Sequence, residues 1–173
     1  MTCQLRQVSA NYAQRLLSNP DEVLQYVDDA DSGELPEEAQ GEDIDLDKAW
    51  HGLHYLLTGT AWEGREPYCY LLSGGEQIGD AEEHDVGHGP VRILLPPQVA
   101  LFSDAVQLLT PGEVHRRLNA KEMTRLDIYP EVWAREGPAA QENLDYLTEN
   151  AADLQAFLRR TVTDQKAVVI YLS

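Results

Sequence analysis

The chain has 173 residues, of which 43% are hydrophobic and 25% are charged, as in an ordinary soluble globular domain with one hydrophobic core. Its 30 acidic and 13 basic residues give a formal net charge of -17, which repels phosphate backbones and argues against nucleic acid as a partner. Its two cysteines, Cys3 and Cys69, form no CxxC pair, which argues against a disulfide framework and against zinc or redox chemistry at thiols.

The sequence also predicts a compartment. The first residues, MTCQLRQVSANYAQRLL, lack the basic start and the apolar run that a signal peptide has. No apolar stretch approaches the roughly 20 residues that a membrane helix needs. We therefore expect a cytoplasmic protein that has no membrane partner and keeps both thiols reduced.

The N-terminal segments predict a strand followed by two helices. Residues 2–8 predict the strand, and Ser9 suits the N-cap of the first helix. Asn19 suits the N-cap of the second helix, with Pro20 at its first position and Glu22 placed to complete a capping box.

Two acidic segments, residues 28–45 and residues 76–90, are predicted to be loops. The first has no basic residue and few apolar side chains to bury. The second is rich in glycine and contains His84 and His88. Such compositions are typical of solvated loops, and recruitment of a basic partner is the functional alternative.

Residues 46–58 predict a helix that ends at Gly59 and carries two neighbouring rows of side chains. The apolar row, which should face the core, consists of Leu46, Trp50, Leu53 and Leu57. The polar row consists of Asp47, His51, His54 and Thr58. Gly52 lies away from both rows, where another backbone could approach closely.

Three interpretations of the polar row stay open at this point. The first is structural: His54 closes the helix onto the core through one hydrogen bond. The second is a ligand or catalytic pocket, in which Asp47 orients a histidine for proton transfer. The third is a metal site, with ligands taken from His51, His54, His84, Asp85 and His88. No nucleophile motif such as GxSxG is present and HxxH is a weak motif, so we predict neither a catalytic residue nor a metal.

The C-terminal half alternates predicted strands and helices, starting with a strand at residues 91–95 and an amphipathic helix after it. Thr110 and Asn119 each begin a short helix with a capping box, and Pro138 begins the longest helix. The apolar stripe of that helix consists of Leu144, Leu147, Ala151, Leu154 and Leu158. Residues 167–172 are uniformly apolar, which predicts a final strand buried on both faces.

These elements predict the fold class. Strands at both ends of the chain, helices through the middle and one internal strand are typical of an α+β domain. We expect a single compact domain over residues 1–173, with a small mixed sheet that includes the N- and C-terminal strands and is packed by several helices.

Several motifs of this sequence resemble those of a known family. DLDKAWHGLHYLLTG, LLSGGEQIG, GHGPVRILLP, IYPEVW and VVIYLS occur in this order over nearly the whole chain. They resemble the YfbM-like family, a bacterial domain of unknown function. The resemblance implies a compact α+β domain in the bacterial cytoplasm and implies no activity.

Two departures from the family pattern bear on function. His88 stands where the pattern has a tyrosine, which weakens the metal interpretation and favours a ring that packs or stacks at this place. The N-terminus lacks the glycine- and aromatic-bearing strand with which the family tends to begin.

The resemblance also indicates positions for a site. The family pattern falls on Asp47, Trp50, His54, Leu57, Gly59, Gly74, Gly75, Gly89, Pro90, Arg92, Tyr129, Pro130 and Trp133. Setting aside core and turn residues leaves four polar ones: Asp47, His54, Arg92 and Tyr129. We predict that these four converge beside Trp133 on one ligand pocket that His51 also lines. The alternative is a structural bridge between Arg92 and Asp47.

The functional expectation follows from the charge, the acidic segments and the missing catalytic motif. We expect a non-enzymatic protein that binds a basic protein partner or a small molecule and uses no cofactor. The alternative is an enzyme or a small-molecule sensor with a polar pocket around Asp47, His54, Arg92 and Tyr129.

Overall fold

A computed structural model describes residues 1–80 and 82–173; Ala81, in the second predicted acidic loop, lies outside the described residues. The strands are β1 (Cys3–Val8), β2 (Asp43–Asp45), β3 (Glu76–Gln77), β4 (Arg92–Leu94) and β5 (Ala167–Leu172). The α-helices are α1 (Ala10–Ser18), α2 (Glu22–Ser32), α3 (Ala49–Thr58), α4 (Pro96–Gln107), α5 (Pro111–Arg117), α6 (Ala120–Arg125) and α7 (Pro138–Thr163). In this part of the chain, no helix has both the length and the apolar character that crossing a membrane requires.

The strands form one sheet in the order β2-β1-β5-β4-β3. The N- and C-terminal strands are neighbours in it, with Leu5 opposite Ile170, which confirms the α+β class and the place of both termini. The predicted mixed sheet is corrected, because the four pairs of strands found in the described residues are all antiparallel. The direction of a strand depends on the path of the helices before it, and no local pattern records that path.

Helices cover both faces of the sheet, which confirms that β5 is buried on both sides. Because side chains alternate along a strand, Val168 and Ile170 point to one face and Val169 and Tyr171 to the other. The first pair packs into a cluster with side chains from α3, α4 and α7. The second pair packs into a cluster with side chains from α1 and α2.

Most predicted helix ends are confirmed, by a capping hydrogen bond, by the position of a proline or by a left-handed glycine. Ser9 accepts the N–H of Tyr12 at the start of α1, and Pro138 is the first residue of α7. Thr110 and Asn119 accept backbone N–H groups at the starts of α5 and α6. Gly59 ends α3 with a left-handed φ of 77°, a conformation that glycine adopts at little cost.

The glutamates of the predicted capping boxes bind arginines instead of returning to the N-cap backbone. The second helix has Asp21 at its N-cap, without a side-chain cap, and Glu22 pairs with Arg15 at 2.8 Å. In α5 and α6, Glu113 binds Arg116 and Arg117, and Glu122 binds Arg125. A charge-assisted hydrogen bond to arginine is stronger than one to a neutral amide, so these glutamates bind arginine side chains rather than backbone N–H groups.

The two predicted acidic loops contain regular structure, which corrects the prediction. Residues 28–45 include the end of α2, a 3-10 turn at Glu37–Ala39 and the edge strand β2. Residues 76–90 begin with β3 and contain an isolated bridge between Asp85 and Pro90. An edge strand needs few apolar side chains, so its composition resembles that of a loop.

Candidate functional site

Asp47 lies outside the predicted helical row. Helix α3 begins at Ala49, and Asp47 has a φ of 44° in the turn before it. Its carboxylate accepts a hydrogen bond from the Tyr146 hydroxyl at 2.9 Å. Burial and this hydrogen bond raise the pKa of Tyr146 to about 12. Asp47 therefore holds the start of α3 against α7 instead of orienting a histidine.

His51 is fully buried and uses both ring nitrogens. Nε2 lies 2.8 Å from the carbonyl oxygen of Ala61, and Nδ1 lies 3.0 Å from the backbone nitrogen of Tyr129. Because a carbonyl only accepts and an amide N–H only donates, Nε2 carries the proton and Nδ1 accepts. Burial lowers the pKa of His51, which favours this neutral form.

His54 is also fully buried but uses one nitrogen only. Nε2 donates to the carbonyl oxygen of Glu63 at 3.2 Å, while Nδ1 has no hydrogen-bond partner among the described residues. Burial lowers the pKa of His54 to about 4, and the neighbouring His51 adds to this lowering. His54 is therefore a neutral donor at physiological pH.

The polar row of α3 holds the segment that follows the helix. His51 binds Ala61, His54 binds Glu63, and Thr58 exchanges hydrogen bonds with Thr60. We call His51, His54 and Thr58 the polar clamp, and residues 59–64 the Trp62 loop. Because the clamp binds mainly backbone groups, it fixes the path of the loop.

The Trp62 loop displays an indole at the surface. Trp62 is 57% exposed, whereas Trp50 and Trp133 are 0% and 2% exposed. The Trp62 ring lies 4.4 Å from the His51 ring and 6.4 Å from the Trp50 ring, measured between centroids. One part of the indole therefore rests on buried aromatic rings while the remainder stays accessible.

Arg92 supports a second segment on the same face of the sheet. Its guanidinium donates to the carbonyl oxygens of Tyr70, Leu71 and Gly74 at 2.7–3.2 Å. Burial lowers the pKa of this guanidinium, which stays charged at any physiological pH. Within residues 1–80 and 82–173, Arg92 forms no ion pair with a carboxylate, and the predicted bridge to Asp47 is absent.

The six residues predicted for one pocket bind different segments of the structure. His51 accepts the backbone N–H of Tyr129, but Asp47 binds α7 and Arg92 binds the turn before β3. Trp133 donates to the carbonyl oxygen of Ile128 at 2.6 Å and packs on α3. A Cβ on Gly52 would lie 3.1 Å from the Trp133 ring. The sequence predicted that another backbone would approach Gly52 closely, but the group that does so is the Trp133 side chain.

The histidines of the second acidic segment do not join the polar clamp. His84 is buried, accepts the N–H of Asp80 and lies 3.3 Å from the carboxylate of Asp21. His88 is exposed in a loop whose turn is held by Asp85. In the described part of the chain, no three histidine, cysteine, aspartate or glutamate residues form a group that could hold a metal ion.

A pocket of about 390 Å³ lies between the Trp62 loop, the segment before β3 and the start of β4. This volume is within the range of small-molecule sites, about 300–1,000 Å³. The polar side chains of its wall include Ser73, Gln77, His88 and Arg92. The apolar side chains include Trp62, Leu72, Pro90 and Leu172.

Pro90 explains why a pocket opens at this point of the sheet. The pairing of β4 with β5 begins at Arg92, which lies opposite Ile170. Extending that register would place Pro90 opposite Leu172, and proline has no N–H to donate to the ladder. Pro90 and Leu172 both line the pocket.

The comparisons with known proteins agree with this fold. The profile of the family "Domain of unknown function (DUF1877)" matches residues 1–171. The chain belongs to the DUF1877 family. The fold of this DUF1877 protein matches the crystal structure of YfbM, a protein of unknown function from Escherichia coli, with a TM-score of 0.72 over 98% of each chain. The two sequences are 17% identical, and the resemblance to a YfbM-like family is confirmed. A search of curated proteins found no match.

Sequence reasoning for this DUF1877 protein identified part of the pocket wall and missed its aromatic face. The positions taken from the family resemblance include Arg92, which lines the pocket. They also include four residues of the neighbouring turns that line the same pocket: Gly74, Gly75, Gly89 and Pro90. Trp62 was missed because a single tryptophan in a polar loop belongs to no periodic pattern. The signal that could have identified Trp62 is its position three residues after Gly59, which ends helix α3, in a segment that also contains Thr60 and Glu63.

Proposed function

We propose that this DUF1877 protein binds a small molecule in the pocket beside Trp62. The observation that carries the proposal is the exposed indole, which the polar clamp holds on the pocket wall. An indole left in water forgoes the hydrophobic stabilisation that burial would give. Three side chains of the buried helix α3 keep the loop, and hence the indole, in this position.

The composition of the wall supports the same function. Apolar surface from Trp62, Leu72 and Leu172 can cover the body of a ligand. Hydrogen-bonding groups from Ser73 and His88 can orient it. Ligand sites generally combine a largely apolar wall with a few placed polar groups. This pocket therefore favours a small-molecule ligand over a protein partner. Arg92 belongs both to this pocket and to the pocket predicted from the sequence.

The experiment that tests the proposal is a fragment screen by protein NMR. The three tryptophans give three indole N–H signals, and the Trp62→Phe variant assigns the signal of Trp62. We expect planar fragments to shift that signal while the signals of the buried Trp50 and Trp133 stay in place. Leu101→Ala, which changes an exposed side chain on α4, is the control and should leave binding unchanged. A set of anionic, neutral and cationic fragments that shifts no Trp62 signal would contradict the proposal.

A further inference from the structure

We infer that the ligand of the Trp62 pocket is a planar ring that carries a carboxylate. The inference rests on the proposed function and names the chemical class that the same pocket takes. Three features of the wall carry it: unsatisfied hydrogen-bond donors, a cation without a carboxylate partner, and an accessible aromatic face.

The free polar groups of the pocket can donate hydrogen bonds. The Ser73 hydroxyl and the His88 ring have no hydrogen-bond partner among the described residues, although both line the pocket. Arg92 uses only its two terminal nitrogens for the carbonyls that it binds, so its Nε–H has no partner in residues 1–80 and 82–173. Residues from three segments that carry such donors therefore line one pocket.

The charge at the pocket is opposite to the charge of the whole chain. The chain carries 30 acidic residues, yet no aspartate or glutamate is among the described residues that line this pocket. Glu66, on the neighbouring turn, is engaged by the Tyr70 hydroxyl at 3.0 Å and the Gly75 N–H at 3.2 Å. Arg92 is thus a half-buried cation whose partners in the described part of the chain are all carbonyl oxygens. Such a site favours an anion, because the carboxylate supplies the missing opposite charge.

The aromatic face and the size of the pocket determine the rest of the ligand. The accessible part of Trp62 offers a flat apolar surface, and planar rings stack on indole in offset or tilted arrangements. Pro90 and Leu172 supply further apolar wall. A volume of about 390 Å³ has room for a ring with a substituent. A carboxylate on that ring would face Arg92, Ser73 and His88.

The test compares benzoate with benzamide, which have the same ring and nearly the same shape but differ in charge. Each compound is titrated into the full chain at constant ionic strength, and the Trp62 indole signal reports binding. We expect benzoate to bind about tenfold more tightly than benzamide, which is about 1.4 kcal/mol. His88→Ala and Ser73→Ala should weaken benzoate more than benzamide, because a hydrogen bond to the charged carboxylate is stronger than one to the neutral amide oxygen. His115→Ala, which removes an exposed histidine on α5, is the matched control and should change neither affinity.

The outcomes separate this inference from the proposed function. Equal affinities, or a preference for benzamide, would overturn the carboxylate inference and leave a small-molecule site in place. Loss of the preference in His115→Ala as well as in His88→Ala would also overturn it, because a general charge effect would then explain the result. If neither compound shifts the Trp62 signal, the inference fails, and the broader fragment set decides whether the pocket binds any small molecule. Arg92→Gln is not the deciding variant, since Arg92 also supports the turn before β3.

Discussion

His51 and His54 lie one turn apart on the same buried helix and serve the same segment, but they differ at Nδ1. In His51 this nitrogen accepts the N–H of Tyr129, so both of its ring nitrogens are used. In His54 it has no partner among the described residues. Protonation of either residue would place a charge in the core. In His51 it would also put a hydrogen on Nδ1, which would then face the N–H of Tyr129. Both histidines therefore stabilise the fold only in the neutral form.

The first prediction concerns the pH dependence of stability. A histidine in the unfolded chain has a pKa near 6.5, whereas burial lowers that of folded His54 to about 4. Between these values the unfolded state binds more protons, so the stabilisation is complete above pH 6.5 and decreases as the pH falls towards 4. At about 1.36 kcal/mol per pKa unit, the loss is on the order of 3 kcal/mol.

Urea unfolding at a series of pH values measures this effect as the difference between wild type and His54→Gln. We expect the difference in unfolding free energy to shrink as the pH is lowered from 6.5 to 4. His115→Ala removes an exposed histidine and should keep the wild-type profile. A constant difference between wild type and His54→Gln would show that His54 is not buried in its neutral form.

Helix α3 has the largest share of buried residues among the helices of the described chain. Nine of its ten residues, Ala49 to Leu57, are buried. The apolar row packs into the main core, the Trp62 loop covers the polar row, and Trp133 and Leu147 cover Gly52. The helix is therefore buried on every side although its sequence has an amphipathic pattern. A polar row on a helix can be covered by a following loop as well as by water.

The second prediction is that Gly52→Ala destabilises the protein. An added Cβ would lie 2.8 Å from Leu147 Cδ2 and 3.1 Å from the Trp133 ring, so tightly packed side chains would have to move. Overpacking costs about 1–3 kcal/mol and outweighs the gain of about 1 kcal/mol in helix propensity. Urea unfolding gives the change in the unfolding free energy.

Gly112→Ala in α5 is the matched control, because the nearest atom to its added Cβ is Thr110 Oγ1 at 4.0 Å. We expect this variant to be neutral or slightly stabilising. If Gly52→Ala were as stable as Gly112→Ala, the contact of Trp133 with α3 would be looser than the structure shows.

At the scale of the whole molecule, the excess of acidic residues opposes folding. A formal net charge of -17 on a compact 173-residue chain causes self-repulsion, which the expanded unfolded state relieves. The ion pairs present, such as Glu113 with Arg116 and Glu122 with Arg125, lie near the surface and contribute little. Repulsion should therefore dominate the response to salt.

The third prediction is that salt stabilises the protein at neutral pH. Raising NaCl from about 0.01 M to about 0.15 M shortens the Debye length from about 30 Å to about 8 Å and screens the repulsion. We expect the melting temperature at pH 7 to rise over this range. Near the sequence pI of about 4.4 the net charge is small, so the same titration should have a much smaller effect. A melting temperature that falls with salt at pH 7 would mean that the ion pairs outweigh the repulsion.

The sequence by itself determined the features that depend on neighbouring residues. The caps at Ser9, Thr110 and Asn119, the stop at Gly59 and the long helix from Pro138 follow from hydrogen bonds or φ angles within one turn. The α+β class and the two terminal strands followed from patterns of apolar residues along short segments. The choice between two possible hydrogen-bond partners was harder to predict: the capping-box glutamates bind arginine side chains and not the backbone N–H groups of the N-caps.

Only the tertiary structure decided the strand directions and the partners of the polar row. His51 and His54 bind the backbone carbonyls of Ala61 and Glu63, and every residue has a carbonyl, so no residue type indicates these contacts in the sequence. The pocket joins groups from Trp62 to Leu172, which the chain path brings together and no local spacing relates. Local hydrogen bonds are encoded by neighbours, whereas long-range contacts depend on how the whole core packs.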